Sequence, residues 1–212
     1  TELAKIRAKE NYQAVSFIEG TSESLPFDSK SFDIVFCDDV LEHVGDINAT
    51  LDEICRVVKD DGFIFLRTLD RFSPFVIMNE PHYNLPFITL FPVFLSKFLV
   101  VKLLKKSKNY SVSEFPTHNQ IIRKFKRNGI DYFNFQKNKN QIPRKLNNLE
   151  EINNPSKKLI MRLISSIGLK KYLVYFSKYP WFLGPLNYFA SPSPSVTAEI
   201  RKKVKSLNLK KK

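Results

Sequence analysis

At 212 residues, with 43% hydrophobic and 13% aromatic side chains, the chain can bury one core of ordinary size, which excludes intrinsic disorder and leaves too little for two full domains. The net charge of +13 is divided: residues 1–70 hold 7 Lys+Arg against 15 Asp+Glu, and residues 71–212 hold 27 against 6, so an acidic part and a basic part face different partners. Two cysteines, Cys37 and Cys55, exclude a disulfide scaffold and point to a reducing, cytoplasmic compartment, and the longest apolar run, Leu85 to Leu104, is broken by Pro92 and carries Lys97 and Lys102, which excludes an ordinary membrane span.

Glu2 to Gln13 places Leu3, Ala4 and Ile6 among charges and reads as an amphipathic helix. Ala14 to Ile18 reads as a short strand, followed by the turn Glu19 to Ser22 and a loop through Pro26. Phe32 to Cys37, apolar except for Asp33, reads as a parallel strand covered on both faces. A helix is expected over Asn48 to Lys59, with Leu51, Ile54, Cys55 and Val58 on one face, ended by Asp60-Asp61-Gly62 before a strand at Phe63 to Leu66. Strand, helix, strand in this order implies an α/β sheet with a right-handed crossover.

Between Asp70 and Lys108 the periodicity gives way to an aromatic stretch punctuated by Pro74, Pro81, Pro86 and Pro92, the pattern of a lid or binding insertion. Thr117 to Arg127 reads as a helix stopped by Asn128-Gly129, and Asp131 to Gln136 as a strand. Lys137 to Pro155 reads as a polar surface loop, Leu159 to Phe189 as helical and aromatic, and Val196 to Ile200 as a final strand before a basic tail, Arg201 to Lys212.

Three segments carry a resemblance: Val15 to Val35 (VSFIEGTSESLPFDSKSFDIV), Asp39 to Val44 (DVLEHV), and Glu53 to Lys59 (EICRVVK) with Gly62 and its strand. They resemble class I S-adenosylmethionine-dependent methyltransferases of the type 11 group, over roughly residues 1–70, with a weaker echo at Asn128-Gly129-Ile130 and Val196 to Ile200. The resemblance implies an incomplete Rossmann-like methyltransferase sheet, α/β, holding strands 3 to 7 of the family with a helical aromatic lid insertion. Residues 1–70 would complete the cofactor-binding half and 71–116 form the lid. Residues 117–212 would supply the rest of the sheet, a helical insertion at about 137–190 and the basic tail. The implied sheet joins Phe32–Cys37, Phe63–Leu66, Val196–Ile200 and Asp131–Gln136, with Val196–Ile200 antiparallel between its neighbours and Val15–Ile18 either paired to Phe32–Cys37 or unpaired.

By the same resemblance, Gly20, Thr21 and Ser22 lie along the adenine of S-adenosylmethionine, and Cys37 and Asp38 approach its methionine part. Thr21 stands where the family often has Asp, which leaves the Ser22 N–H as the contact. The family's glycine-rich loop and ribose-binding acid have no counterpart among the six glycines and acids here, so the chain is expected to be the C-terminal portion of a longer enzyme and a poor binder of the cofactor by itself.

Asp39, Glu42 and His43 form a compact titratable group, their spacing placing Asp39 beside both partners if the stretch is helical. An imidazole titrates near neutrality, so His43, with Glu42, is the candidate general base; the alternative is that His43 orients its own turn. In some ubiquinone-pathway O-methyltransferases a similar acidic-x-x-Glu-His pattern is tied to a divalent metal, which makes Asp39, Glu42 and His43 an alternative ligand set where no metal is otherwise expected. His82, in the knot Glu80 to Pro86, is the candidate substrate contact, and His118 is assigned no chemistry. The expected function is methyl transfer to a small-molecule, sugar or lipid-linked acceptor, with peripheral membrane association compatible with the charge. The competing reading is an inactive basic module for nucleic acid or an anionic membrane, of which nucleic acid is disfavoured because no RNA-binding signature is present.

Overall fold

The β-branched and aromatic residues from Val58 onward alternate in burial along one long strand, and the rest of the sheet is laid against it. The computed structural model describes residue 6 and residues 15–78, 80–135 and 186–209. In chain order these form β1 (Phe32–Asp38), α1 (Ile47–Val57), β2 (Val58–Thr68), α2 (Pro74–Met78), a 3-10 turn (Ile88–Leu90), α3 (Val93–Lys97) running into a π-wound segment (Phe98–Leu103), α4 (His118–Arg127), β3 (Asp131–Asn134), β4 (Leu186–Ser191) and α5 (Pro194–Leu209). The sheet order is β1-β2-β4-β3, with β1 parallel to β2 and β4 antiparallel to both of its neighbours.

One face of the sheet carries Ile64, Leu66, Leu186, Tyr188 and Ala190 against Leu51 and Ile54 of α1 and Ile121 and Phe125 of α4, which is the main core. On the other face Phe36, Phe65, Phe189 and Phe133 stand in register, one from each strand, with successive ring centroids 5.5, 5.3 and 5.3 Å apart. The Arg201 guanidinium of α5 lies 5.2 Å from the Phe133 ring centroid at the far end of this ladder. A second, smaller core gathers Val76, Tyr83, Ile88, Val100, Val112 and Phe115 under the aromatic stretch.

Several expectations are corrected. Val15–Ile18 is not a strand: residues 15–20 have no regular structure and stay exposed, which is the unpaired alternative and leaves β1 as the sheet edge among the described residues. Nor is β1 covered on both faces: Ile34 is 46% and Phe36 68% exposed. The helix α1 ends at Val57, and Asp60-Asp61-Gly62 is not its terminator but part of β2. Gly62 is required there by close approach, since a Cβ would lie 2.7 Å from the Asp33 carbonyl oxygen, beside the register shift between Phe32 and Ile34.

Val196–Ile200 is outside the sheet, inside α5; the antiparallel position between β2 and β3 is held by Leu186–Ser191, the end of the segment expected to be helical. Pro194 opens this helix: proline is favoured in the first turn, where its missing N–H costs nothing, and the Ser193 carbonyl accepts the Thr197 N–H at 3.2 Å. The tail from Arg201 continues that helix to Leu209. The strand expected over Asp131–Gln136 ends at Asn134. The helix expected over Asn48–Lys59 is present as Ile47–Val57, with Val58 and Lys59 in β2 instead, and Asp46 caps it by accepting from the Asn48 and Ala49 N–H groups. Thr117 caps α4, and Gly129 at φ 68 supplies the left-handed residue after it. Apart from Ile6, which is helical, the helix expected at Glu2–Gln13 lies outside the described residues, as do the loop Lys137–Pro155 and residues 159–185 of the helical segment.

Candidate functional site

At the carboxyl end of β1 the chain turns sharply, with Asp39 at φ 51, a conformation that short polar side chains tolerate. Arg67 of β2 faces this turn: its Nη2 donates to Asp39 Oδ2 at 2.6 Å, and its Nε lies 2.5 Å from Asp38 Oδ1 without the alignment of a hydrogen bond. The hydrogen bond to Asp39 is the main reason the guanidinium is held above its ordinary pKa. Cys37 just before the turn is buried, and burial, with Glu42, Asp38 and Asp39 nearby, pushes its thiol up to about 12, so it stays protonated and is a poor nucleophile near neutral pH.

Beyond the turn, Leu41, Val44 and Ile47 are buried in the main core, which fixes the single turn Leu41–His43. Glu42 is buried with them and accepts from Thr68 Oγ1 at 3.2 Å. The strap Ser111–Ser113 is tied alongside: the Ser113 N–H donates to the Glu42 carbonyl at 2.8 Å, and Ser113 Oγ donates to the Glu42 and Val44 carbonyls. His43 Nδ1 lies 2.9 Å from the Ser111 carbonyl oxygen. A carbonyl only accepts, so Nδ1 carries the proton and, in the neutral ring, Nε2 carries the lone pair.

His82 reaches the same place from the aromatic stretch. Its ring meets that of His43 edge to face at 5.0 Å. Glu80, almost wholly buried, accepts from the His82 and Tyr83 backbone N–H groups at 3.0 and 2.7 Å and from His82 Nδ1 at 2.5 Å. Again the anchor takes Nδ1, and no described residue bonds to either Nε2. One ligand atom each from Glu42, His43 and His82 lie within 4.8 Å of one another. The structure therefore assembles three expected residues, Glu42, His43 and His82, and it replaces Asp39 by His82 in the ligand set, because Asp39 is committed to Arg67. Two imidazoles and a carboxylate are a donor set suited to first-row divalent metals.

The loop expected at the adenine is held to α1 rather than to this cluster. Glu23 accepts from the Gly45 and Asp46 N–H groups at 2.7 and 3.2 Å; its own backbone N–H first, and then these two, hold its carboxyl below the usual range, and Ser22 Oγ is 3.1 Å from Thr50 Oγ1. Glu53 accepts from the Leu25 N–H at 2.7 Å and from Arg56 at 2.7 and 2.8 Å, while Arg56 donates to the Phe27 and Leu25 carbonyls. This clasp explains the Glu-x-x-Arg spacing. Gly20 and Thr21 are exposed, and nothing described accepts from the Ser22 N–H, so the loop can donate to a ligand. For S-adenosylmethionine the fit is partial: Gly20 and Thr21 are exposed, but Cys37 is buried, the Asp38 carboxylate faces Arg67, and no described residue stands in for a glycine-rich loop.

Sequence reasoning missed Glu80, Ser111 and Arg67, the groups that orient the three candidates. The signal for Glu80 was its position two residues before His82, where a carboxylate can accept the following N–H groups. It also missed a buried chain beneath the site: Asp70 accepts from the His118 and Phe72 N–H groups at 2.6 and 2.8 Å, and His118 Nδ1 shares a 2.5 Å hydrogen bond with Tyr188 Oη. Burial raises the Asp70 carboxyl and the Tyr188 hydroxyl and lowers His118.

A family model described as a methyltransferase domain matches residues 1–66. A ubiquinone biosynthesis O-methyltransferase of Bartonella tribocorum is 33% identical over 70 residues, 33% of this chain and 28% of that protein. The uncharacterized methyltransferase YcgJ of Bacillus subtilis is 39% identical over 74 residues, 34% of this chain and 28% of that protein. The chain thus aligns with under a third of the length of these curated relatives. The crystal structure of YcgJ superimposes with a TM-score of 0.47 at 17% identity, over 89% of this chain and 76% of that one.

Proposed function

We propose that this chain, whose residues 1–66 match the methyltransferase domain of the class I, type 11 group, serves S-adenosylmethionine-dependent methyl transfer to an acceptor hydroxyl, with His43 as general base. The observation that carries the reading is the pair of imidazoles, each tethered through Nδ1 and open at Nε2, where an α/β sheet presents its ligands beyond the carboxyl end of a parallel strand. S-adenosylmethionine, when bound, supplies an electrophilic methyl group. Thr21 and Ser22 would hold its adenine side, and Cys37 and Asp38 its methionine side.

The chain's own contribution is then alignment and proton removal. His43 Nε2 accepts the acceptor's hydroxyl proton, the Ser111 carbonyl fixes the ring so that the lone pair points outward, and His82 Nε2 accepts a second hydrogen bond that orients the acceptor. Small molecules and sugar- or lipid-linked hydroxyls all suit such a site; the name of the Bartonella relative favours an aromatic hydroxyl on a lipid-like quinone precursor. A second reading has its own observation: the 4.8 Å grouping of Glu42, His43 and His82, in which a divalent cation would hold the acceptor oxygens.

Transfer of a labelled methyl group from S-adenosylmethionine to a catechol-type acceptor tests both, using the protein as its gene encodes it. His43→Ala lowers turnover by about two to four orders of magnitude with cofactor affinity unchanged. Full activity in His43→Ala overturns the base, and loss of activity on chelation, restored by magnesium or zinc, promotes the metal reading. With no glycine-rich loop in its sequence, the chain is expected to bind S-adenosylmethionine no more tightly than about the millimolar range, roughly −4 kcal/mol, in titration calorimetry.

A further inference from the structure

The helix formed by α3 and its π-wound continuation is inverted relative to an ordinary surface helix. Ser96 and Val100 are buried, four residues apart, while the outward face carries Phe94 (75% exposed), Phe98 (53%) and Leu103 (62%). Spacing of four then five follows the winding: a π turn takes more residues, so Leu103 falls in line behind Phe98 rather than rotating away. Phe87, Leu90 and Phe91, from the turn just before, are exposed as well. A soluble helix places polar residues outward, and a contiguous apolar surface of this kind marks an interaction site.

The charges beside this surface indicate what it meets. From Pro81 to Ser113 there is no Asp or Glu, and Lys97, Lys102, Lys105, Lys106 and Lys108 are all exposed and ion-paired with no described residue. Four of them, Lys102, Lys105, Lys106 and Lys108, line one open hollow with Val101 and Ser107. The backbone builds that hollow: Lys105 turns at φ 48, and the Leu104 and Lys106 N–H groups donate back to the Leu99 and Val100 carbonyls at 2.8 and 2.9 Å, curling the lysines to one end of the apolar stripe. Aromatic side chains flanked by unpaired ammonium groups fit the boundary between acyl chains and anionic phosphate headgroups. No helix among the described residues is long and apolar enough to cross a membrane, so the contact is interfacial.

We infer that the Phe87–Lys108 surface docks the protein on an anionic phospholipid bilayer, with Phe94, Phe98 and Leu103 entering the interface and the lysine hollow holding a lipid phosphate. The occupant is a bilayer rather than a second copy of the chain, because two such surfaces would set their lysines against each other. This docking is independent of methyl transfer and is read without turnover.

The test is co-sedimentation of the whole chain with vesicles of phosphatidylcholine alone or with about 30 mol % phosphatidylglycerol, at about 0.1 and 0.5 M salt. Binding is expected only to the anionic vesicles and weaker at high salt. Lys102→Gln and Lys106→Gln should each lower it about fivefold, and Phe94→Ser with Phe98→Ser about ten- to a hundredfold. All four sites are exposed, and circular dichroism of each variant checks that it folds. Equal binding to neutral vesicles, no binding, indifference to both variant sets, or displacement by about 10 mM inorganic phosphate at constant ionic strength overturns the inference. So does self-association in light scattering that Phe94→Ser abolishes.

Discussion

Residues 15–68 and residues 69–115 both expose large apolar side chains, but for different physical reasons. In the first region the exposed residues are Val15, Phe17, Ile18, Ile34, Phe36 and Val40, which trace β1, its flanks and the irregular segment before it. They follow from a strand whose outer edge pairs with nothing among the described residues. In the second region the exposed aromatics sit on helical turns whose main-chain groups are satisfied, while Asp70, Ser73, Glu80, Thr89 and Ser96 are buried. An unpaired edge cannot explain that inversion; a surface shaped for a partner can. The comparison separates a scaffold that places chemistry from an attachment that brings a second imidazole and a docking face.

The largest expected effect tests whether the two regions are separate cooperative units. Leu51→Ala, in the main core, should cost about 2–5 kcal/mol of global stability, whereas Val100→Ala, in the small core, should cost about 1–3 kcal/mol. Hydrogen exchange should confine the Val100→Ala effect to residues 76–115; equal loss of protection in the sheet would merge the two regions into one unit.

Next in size is Gly62→Ala, which sharpens the first region's side of the comparison. Its Cβ would press on the Asp33 and Phe32 carbonyls, and the expected cost is about 1–3 kcal/mol in thermal or denaturant unfolding. A neutral substitution would show that β1 is free to move away from β2 at this end.

A smaller effect lies at the junction, where His118 is half-buried. Burial lowers its pKa, so the native imidazole stays neutral when the unfolded one takes up a proton. Its contribution to stability is complete above the ordinary value of about 6.5 and is lost as pH falls through that value toward the lower native one. The melting temperature should decline by about 2–4 °C over that window, and His118→Gln should flatten the decline. The paired carboxylates act later: Glu53, held low chiefly by Arg56, stabilises the fold above the ordinary glutamate range and loses that contribution as pH falls through its depressed value. Asp70, raised by burial, has the opposite sign and favours the native state once protonated.

Much of the first region was legible in the sequence, because local rules decide it. Asp46 caps α1 where its residue type says it should, and Leu51 and Ile54 mark the buried face of that helix; beyond both regions, Thr117 and Gly129 bound α4 by the same rules. The order of the sheet was legible too, but not which segment fills its antiparallel place. Leu186, Tyr188 and Ala190 alternate with period two only over a short stretch at the end of an aromatic run, while Val196–Ile200 looks equally strand-like until Pro194 is seen to start a helix. The site was half legible. His43 and His82 are noticeable as two of three histidines, but the contact between them depends on the strap Ser111–Ser113 and on Glu80, and no spacing in the sequence announces a contact between residues 39 positions apart with α1 and β2 between them.

The most direct test of the proposed site is the protonation of these two rings. Long-range proton–nitrogen correlation spectra of the histidine-labelled protein, recorded above the imidazole titration, should show both His43 and His82 protonated at Nδ1 with Nε2 bare, the state that leaves two lone pairs facing an acceptor. A His43 protonated at Nε2 would place a donor where the base should be and would contradict the proposed chemistry.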